Sequence, residues 1–402
     1  MIRETLAPIM EHLCAQHVLV QAWKKTTKYI RDHNWYSDTL ALDISAARLP
    51  SFIEQLQKEL SNNQWINDPL QMIPAPKSQE WTVEDGKWNP KEKKDKKEIK
   101  DSLRPLAHVS LRDQVIATAA MLCLADRVES AQGNTTLDCT TAENRSKVIS
   151  YGNRLYCDED SMEEGKLYHR WGSSKLYRSY YLDYRSFIRR PEAVAIEYKR
   201  LNSGRVAIVQ TDISKFYDRV RPEFLHKKLD RFCVRRGEKP FHRFLVQLMN
   251  WQWQKGIDER HAERYAKGAG LNNFDRIALP QGLVAAGFFA NVALIDFDNA
   301  MLSAMNTEIR DNLILVDVCR YVDDIRLVIE VQNSMKADDV KDSAKDWLTD
   351  LLNNNAQDLV INEKKTSVAF IGESERTLIR QSQRMERIQQ SVSGGFDVTG
   401  GM

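Results

Sequence analysis

Apolar residues along this 402-residue chain recur with two periods. The first is helical. Leu13, Val18, Val20, Trp23 and Tyr29, then Phe52, Ile53, Leu56 and Leu60, follow it, so residues 1 to about 61 read as helices. Ser51-Phe52-Ile53-Glu54 has the form of a capping box opening the last of them. Val115, Ile116, Ala119, Ala120, Leu122 and Leu124 predict a helix from Leu106 to Glu129. Others are expected from Pro222, around Phe244 to Trp253 with Trp251 and Trp253 in the core, from Leu283 to Leu294, and from Asp342 to Leu352. The second period is that of strands. Val206 to Thr211 is a buried strand ending at Asp212, and Val368 to Ile371 is another.

Leu313 to Val318 and Ile325 to Ile329 flank Arg320-Tyr321-Val322-Asp323-Asp324, which predicts a hairpin with an acidic pair at its turn. Adjacent carboxylates repel, and a hard divalent cation is the natural counter-charge. A β-α-β-β-α-β order sets the strand ending at Asp212 beside this hairpin in one antiparallel sheet. Three carboxylates so placed could hold two Mg²⁺ ions, with Mn²⁺ as a substitute, for phosphoryl transfer.

Between the helical start and this sheet lie polar stretches. Residues 62 to about 105 are broken by Pro and Gly and carry a net-basic run, Lys91 to Glu98, near Trp81 and Trp88. That run reads as a solvated loop, with phosphate contact the alternative. Residues 168 to 190 interleave tyrosines with six basic side chains between 170 and 190. This suits stacking of bases and gripping of phosphates, and equally a tyrosine face packed on a core. The net charge of +2 carries no global basic signature. Six scattered cysteines form no Cys-x-x-Cys pair and read as reduced thiols. No apolar run is long enough to span a membrane, and Glu4, Glu11 and His12 stand where a signal peptide would be apolar, so a cytoplasmic protein is expected.

Four segments in order resemble the palm motifs of reverse transcriptases. They are Thr211 to Tyr217, Leu279-Pro280-Gln281-Gly282 with Ala290-Asn291, Tyr321 to Asp324, and Leu359 to Thr366. The resemblance implies an α+β fold: a right-hand polymerase with fingers and palm, the antiparallel palm sheet backed by helices. A helical N-terminal extension precedes it, and the thumb is reduced or absent. The implied segments are 1–105 (extension with basic loop), 106–205 (fingers), 206–372 (palm) and 373–402 (short polar tail, with a short helix at Leu378 to Ile388).

By the same resemblance Asp212, Asp323 and Asp324 bind metal, with the Ile213 carbonyl as a further ligand, and Lys365 is catalytic, protonating pyrophosphate. Tyr217 is the steric gate that selects dNTPs. Gln281 and Gly282 line the nucleotide pocket, and Lys147, Arg154 and Arg185 are candidates for the triphosphate. Tyr184, Arg189, Arg190 and Tyr321 are the nucleic-acid contacts.

Ser150 to Leu155, Asp183 to Phe187 and Leu279 to Asn291 are similar to segments of bacterial antiphage reverse transcriptases of the abortive-infection and unknown-group clade. That likeness implies phage defence by RNA-directed DNA synthesis, with a structured noncoding RNA as template, dNTPs as substrates and a cDNA product. Template-independent or protein-primed synthesis, a retroelement polymerase and an idle RNA-binding scaffold are the alternatives, and a homo-oligomer is left open. Ala286 replaces a serine common in relatives, which puts that helix's template contacts in question. Only thirty residues follow Gly372, none of them tyrosine, so a structured RNA or another subunit is expected to replace the thumb.

Overall fold

The computed structural model describes residues 5–33, 38–62, 65–76, 81–84, 87–90 and 103–372. The basic run Lys91 to Glu98 and the tail 373–402, with its expected helix, lie outside the described residues, as do the side chains of Trp81 and Trp88. The chain divides into two compact units. Of the described residues, the first takes in 5–7, 121–216 and 287–372, the second those within 8–120 and 217–286.

The first unit is built on a five-stranded sheet. Its elements are helix α1 (Tyr180–Leu201), strand β1 (Arg205–Asp212), helix α2 (Ala286–Ser303), strands β2 (Glu308–Arg310), β3 (Leu313–Tyr321) and β4 (Asp324–Val331), helix α3 (Ala337–Asn355) and strand β5 (Ser367–Phe370). The strand order is β2-β3-β4-β1-β5. The four neighbouring pairs are all antiparallel. The hairpin β3–β4 therefore lies beside β1, as the element order predicts, and Asp324 stands directly opposite Asp212. Runs of Val, Ile and Leu make these strands because branched side chains pack well on a pleated surface. Val194 and Ala195 of α1 close over Val206, Ile208, Val316 and Val328.

Local chemistry tunes this packing. Pro191 lies inside α1 and has no N–H to give the Phe187 carbonyl one turn back. The Cys319 thiol of β3 donates to that carbonyl instead, at 3.7 Å. A bulge at Val316 shifts the register between Leu315 and Asp317.

The second unit holds four N-terminal helices, Met10–Cys14, Gln16–His33, Thr39–Ala47 and Leu49–Ser61. The last begins at Leu49 with Pro50 in its first turn, so Ser51 is inside the helix and does not cap it. Gln71–Pro76 pairs with Leu103–His108. Leu106 is thus a strand residue, and the helix expected from that point runs instead over Leu111–Gln132. The helix around Phe244 spans Lys239–Leu248 and stops before Trp251, which enters a two-residue strand paired to Arg276–Ile277. Both Trp251 and Trp253 are buried, as expected. Among the described residues the cysteines are free thiols, and no helix is long and apolar enough to cross a membrane.

Candidate active site

In the first unit β1 ends at Asp212, and the β3–β4 hairpin turns through Val322 and Asp323 before Asp324 opens β4. A two-residue loop with positive φ at its first position ordinarily carries Gly there. Here that residue is Val322, at φ 57°. A β-branched side chain in this region is strained by roughly 1–3 kcal/mol.

The fourth segment docks on the end of β1. Ile213, fully buried, bridges to Ile361, and the Asn362 amide donates to the Asp212 carbonyl at 2.9 Å. The Ile213 amide donates to the Asp323 carbonyl at 3.0 Å, which ties the hairpin turn to β1. Thr366 meets Thr211, oxygen to oxygen, at 2.7 Å. This docking sets the Lys365 ammonium on Asp212 Oδ2 as an ion pair.

The electrostatics follow from burial and crowding. Burial raises Asp323, and the charge of Asp212 adds to it. Burial, then Asp323 and Asp212, pushes Asp324 up to about 6. The hydrogen bond to Asp212 raises Lys365. Asp212 is nearly fully buried, and among the described residues its Oδ1 has no hydrogen-bond partner. A buried acceptor left unsatisfied, beside two carboxyls held above their ordinary range, fits a hard divalent cation bound by oxygen. Asp212, Asp323 and Asp324 are the side chains that would hold it. Among the described residues no three His, Cys, Asp or Glu side chains converge closely enough for a metal ion as they stand.

Of the other expected residues, Tyr321 and Tyr184 adjoin this turn. Their rings meet edge to face at 5.0 Å, with Phe187 completing the cluster. Arg185 and Arg189 are exposed on α1. Lys147 forms an ion pair with Glu164 at 2.8 Å.

Arg154 and Arg190 require correction. Arg154 is 2 % exposed; its Nε donates to Glu129 at 2.8 Å and its Nη1 to the Ser150 carbonyl. Arg190 is 1 % exposed and forks onto Asp317 at 2.9 and 2.6 Å. Guanidinium groups so enclosed and fully engaged hold the fold and do not face a triphosphate or a nucleic acid.

Tyr217, Gln281 and Gly282 belong to the second unit. Tyr217 is half-buried in the short helix Phe216–Arg219. Gln281 donates to Asp218 Oδ1 at 2.8 Å, and the Tyr265 hydroxyl donates to Oδ2 at 2.6 Å. Asp218 accepts only, so the Gln281 amide nitrogen must face it. Gly282 takes φ 144°. The buried Gln114 clamps this loop, donating to the Gly282 carbonyl at 2.7 Å and accepting from the Val284 amide at 2.8 Å.

Asp218, Gln114, Asp298 and Arg320 were not singled out from the sequence. A signal existed for Asp298, which lies seven residues after Asn291 and so on the same face of α2. Arg320 is fully buried and ion-paired to Asp298 at 2.6 Å.

Comparison with known proteins bears on this site. Two telomerase structures are similar to the chain, each at 12% identity with a TM-score of 0.33. One, from Candida albicans in complex with a TWJ fragment of telomeric RNA, is matched over 63% of this chain and 34% of that one. The other, apo telomerase from Candida tropicalis truncated from its C-terminal domain, is matched over 81% and 56%. The chain thus spans between a third and just over half of those structures. No curated protein matches it. The family model described as reverse transcriptase (RNA-dependent DNA polymerase) matches residues 172–390, more than half of the chain. That match takes in Asp212, the Leu279–Gly282 loop, the Asp323–Asp324 hairpin and Lys365, and the chain belongs to the reverse transcriptase family.

Proposed function

We propose that this chain is an RNA-directed DNA polymerase that copies a structured noncoding RNA into complementary DNA as a defence against phage. The observation that carries the polymerase reading is the acidic end of the sheet. Asp212 stands opposite Asp324 in register, with Asp323 in the adjoining turn and a buried, unsatisfied oxygen on Asp212. Divalent cations, Mg²⁺ in this reading, would activate the attacking 3′-hydroxyl and neutralise the leaving pyrophosphate. The chain's own residues supply the rest. The three carboxylates place negative charge where cations are needed. Lys365, kept protonated by Asp212, is a proton donor at this end of the sheet. Tyr217, five residues beyond Asp212 along the chain, excludes a 2′-hydroxyl and so selects dNTPs. In this reading residues 106–205 act as fingers and 206–372 as palm.

The defence role and the noncoding template rest on the likeness of Ser150 to Leu155, Asp183 to Phe187 and Leu279 to Asn291 to antiphage reverse transcriptases. The test is to purify wild-type and Asp324→Ala chains expressed from their own locus and to sequence the RNA and DNA that accompany each. One abundant RNA in both samples, with complementary DNA only in wild type, is expected. DNA of low complexity without a matching RNA would replace the reading with untemplated synthesis. Bound RNA with no DNA in either sample, phage challenge included, would overturn polymerase activity itself.

A further inference from the structure

The strained turn that carries Asp323 is held by a buried polar lock within the first unit. Arg320, the residue before Tyr321, is fully buried. Its Nε and Nη2 fork onto Asp298 of α2 at 2.7 and 2.6 Å. Its Nη1 donates to the Val322 carbonyl at 2.6 Å. Asp298 is 3 % exposed. Asn291, one helical face along α2, sets its side-chain oxygen 3.4 Å from Nη1 and Nη2 and donates to the Gly152 carbonyl at 2.8 Å. Gly152 lies against the turn, and a Cβ there would meet Val322 Cγ2 at 2.5 Å and the Val322 amide nitrogen at 2.7 Å.

We infer that Asp298 and Arg320 are positioning residues, which hold Val322 in its left-handed conformation and thereby aim Asp323 and Asp324 for metal binding. The argument is one of cost and geometry. Val322 pays for a conformation natural to Gly. The surroundings must over-determine such a turn, and the Arg320 guanidinium that reaches its carbonyl is fixed by a buried carboxylate. A buried fork of this kind has a single low-energy geometry, so it holds the turn more tightly than a flexible ammonium would. This inference rests on the polymerase reading of the site.

The experiment uses the full chain and two readouts. Mn²⁺ binding is followed by the EPR signal of the free ion, with Asp324→Ala defining the component that belongs to this site. Single-nucleotide incorporation on an RNA template is followed as kcat and as KM for dNTP. Arg320→Lys keeps the charge opposite Asp298 and loses the fork. It should weaken the Asp324-dependent Mn²⁺ binding roughly 10- to 100-fold and lower kcat, with KM for dNTP unchanged. Asp298→Asn should do the same. Val322→Gly in the Arg320→Lys background should recover part of the Mn²⁺ affinity, because Gly accepts the turn without the lock.

Arg320→Lys chains that melt lower but bind Mn²⁺ with wild-type affinity would overturn the inference and leave a purely structural ion pair. Failure of Val322→Gly to recover affinity would overturn the strain argument. Should Arg320→Lys not fold, the Val322→Gly background decides the matter. With the lock made redundant, adding Asp298→Asn to it should cost little Mn²⁺ affinity, and a full loss would refute the proposal. Absence of Asp324-dependent Mn²⁺ binding in wild type would sink the polymerase reading first, and this inference with it.

Discussion

Arg190 shows how one residue's role is set by its partners. It sits in a run of tyrosines and arginines suited to nucleic acid, yet Asp317 takes its fork and the Val148 and Arg145 carbonyls and the Tyr151 hydroxyl accept its remaining donors. Asp317→Ala would leave a guanidinium buried without its counter-charge, a loss of roughly 3–5 kcal/mol. The double change Arg190→Met, Asp317→Leu removes both charges together. It should recover most of that stability and leave RNA affinity at the wild-type value, measured by thermal unfolding and by filter binding. A drop in RNA affinity in the well-folded double variant would return Arg190 to the nucleic-acid contacts. Tyr217 and Gln281 contrast with it in that both are half-buried.

At the scale of elements, α1 has two faces with different duties. Phe187, Arg190, Val194 and Ala195 are buried, whereas Tyr181, Arg185 and Arg189 are exposed at four-residue spacing along one stripe. Phosphate contacts reveal themselves through salt, since each one to a single strand contributes about 0.7 to the slope of log affinity against log salt. Arg185→Glu with Arg189→Glu should reduce that slope by about 1.4 if both arginines meet phosphates. An unchanged slope would mean that α1 serves the core alone. The element boundaries were partly legible. Strands β1, β4 and β5 fall within one or two residues of their expected spans, because continuous β-branched runs leave little choice, and β3 runs three residues past its expected end at Val318, to Tyr321. The helical pattern places Leu106 at the start of a helix, but its pairing with Ile73 puts it in a strand. That pairing lies outside any local window.

On the scale of the whole molecule, stability should carry a pH signature from Asp113. Its carboxylate is buried, accepts from the Asp68 amide at 2.7 Å and pairs with Arg112 at 2.7 Å. Arg112 in turn binds Glu59 and lies 3.7 Å over the Trp65 ring. Burial dominates and raises Asp113 from 3.8 to about 7, against the opposing charge of Arg112. Between those values the folded chain holds a proton that the unfolded chain has released. Stability from this group is therefore full below about pH 4, is lost as pH rises toward 7, and is level above that. Asp113→Asn does not titrate, so its melting temperature should decline less than that of wild type between pH 4 and 7. Parallel profiles for the two proteins would show that Arg112 keeps Asp113 ionised throughout.

What the sequence by itself determined is the set of candidate groups and their local frame. Three aspartates, the hairpin that bears two of them and the strand that ends in the third are written in contiguous residues, and so are Lys365 and the Leu279–Gly282 loop. Only the tertiary structure decided which charged side chains are spent inside. Arg190 meets Asp317 across 127 residues, Arg154 meets Glu129 across 25, and Arg320 meets Asp298 across 22. Gln114 reaches Gly282 across 168. An arginine's composition and spacing are the same whether it faces solvent or a buried carboxylate. Its desolvation, and with it its role, is settled by the partner that folding brings to it.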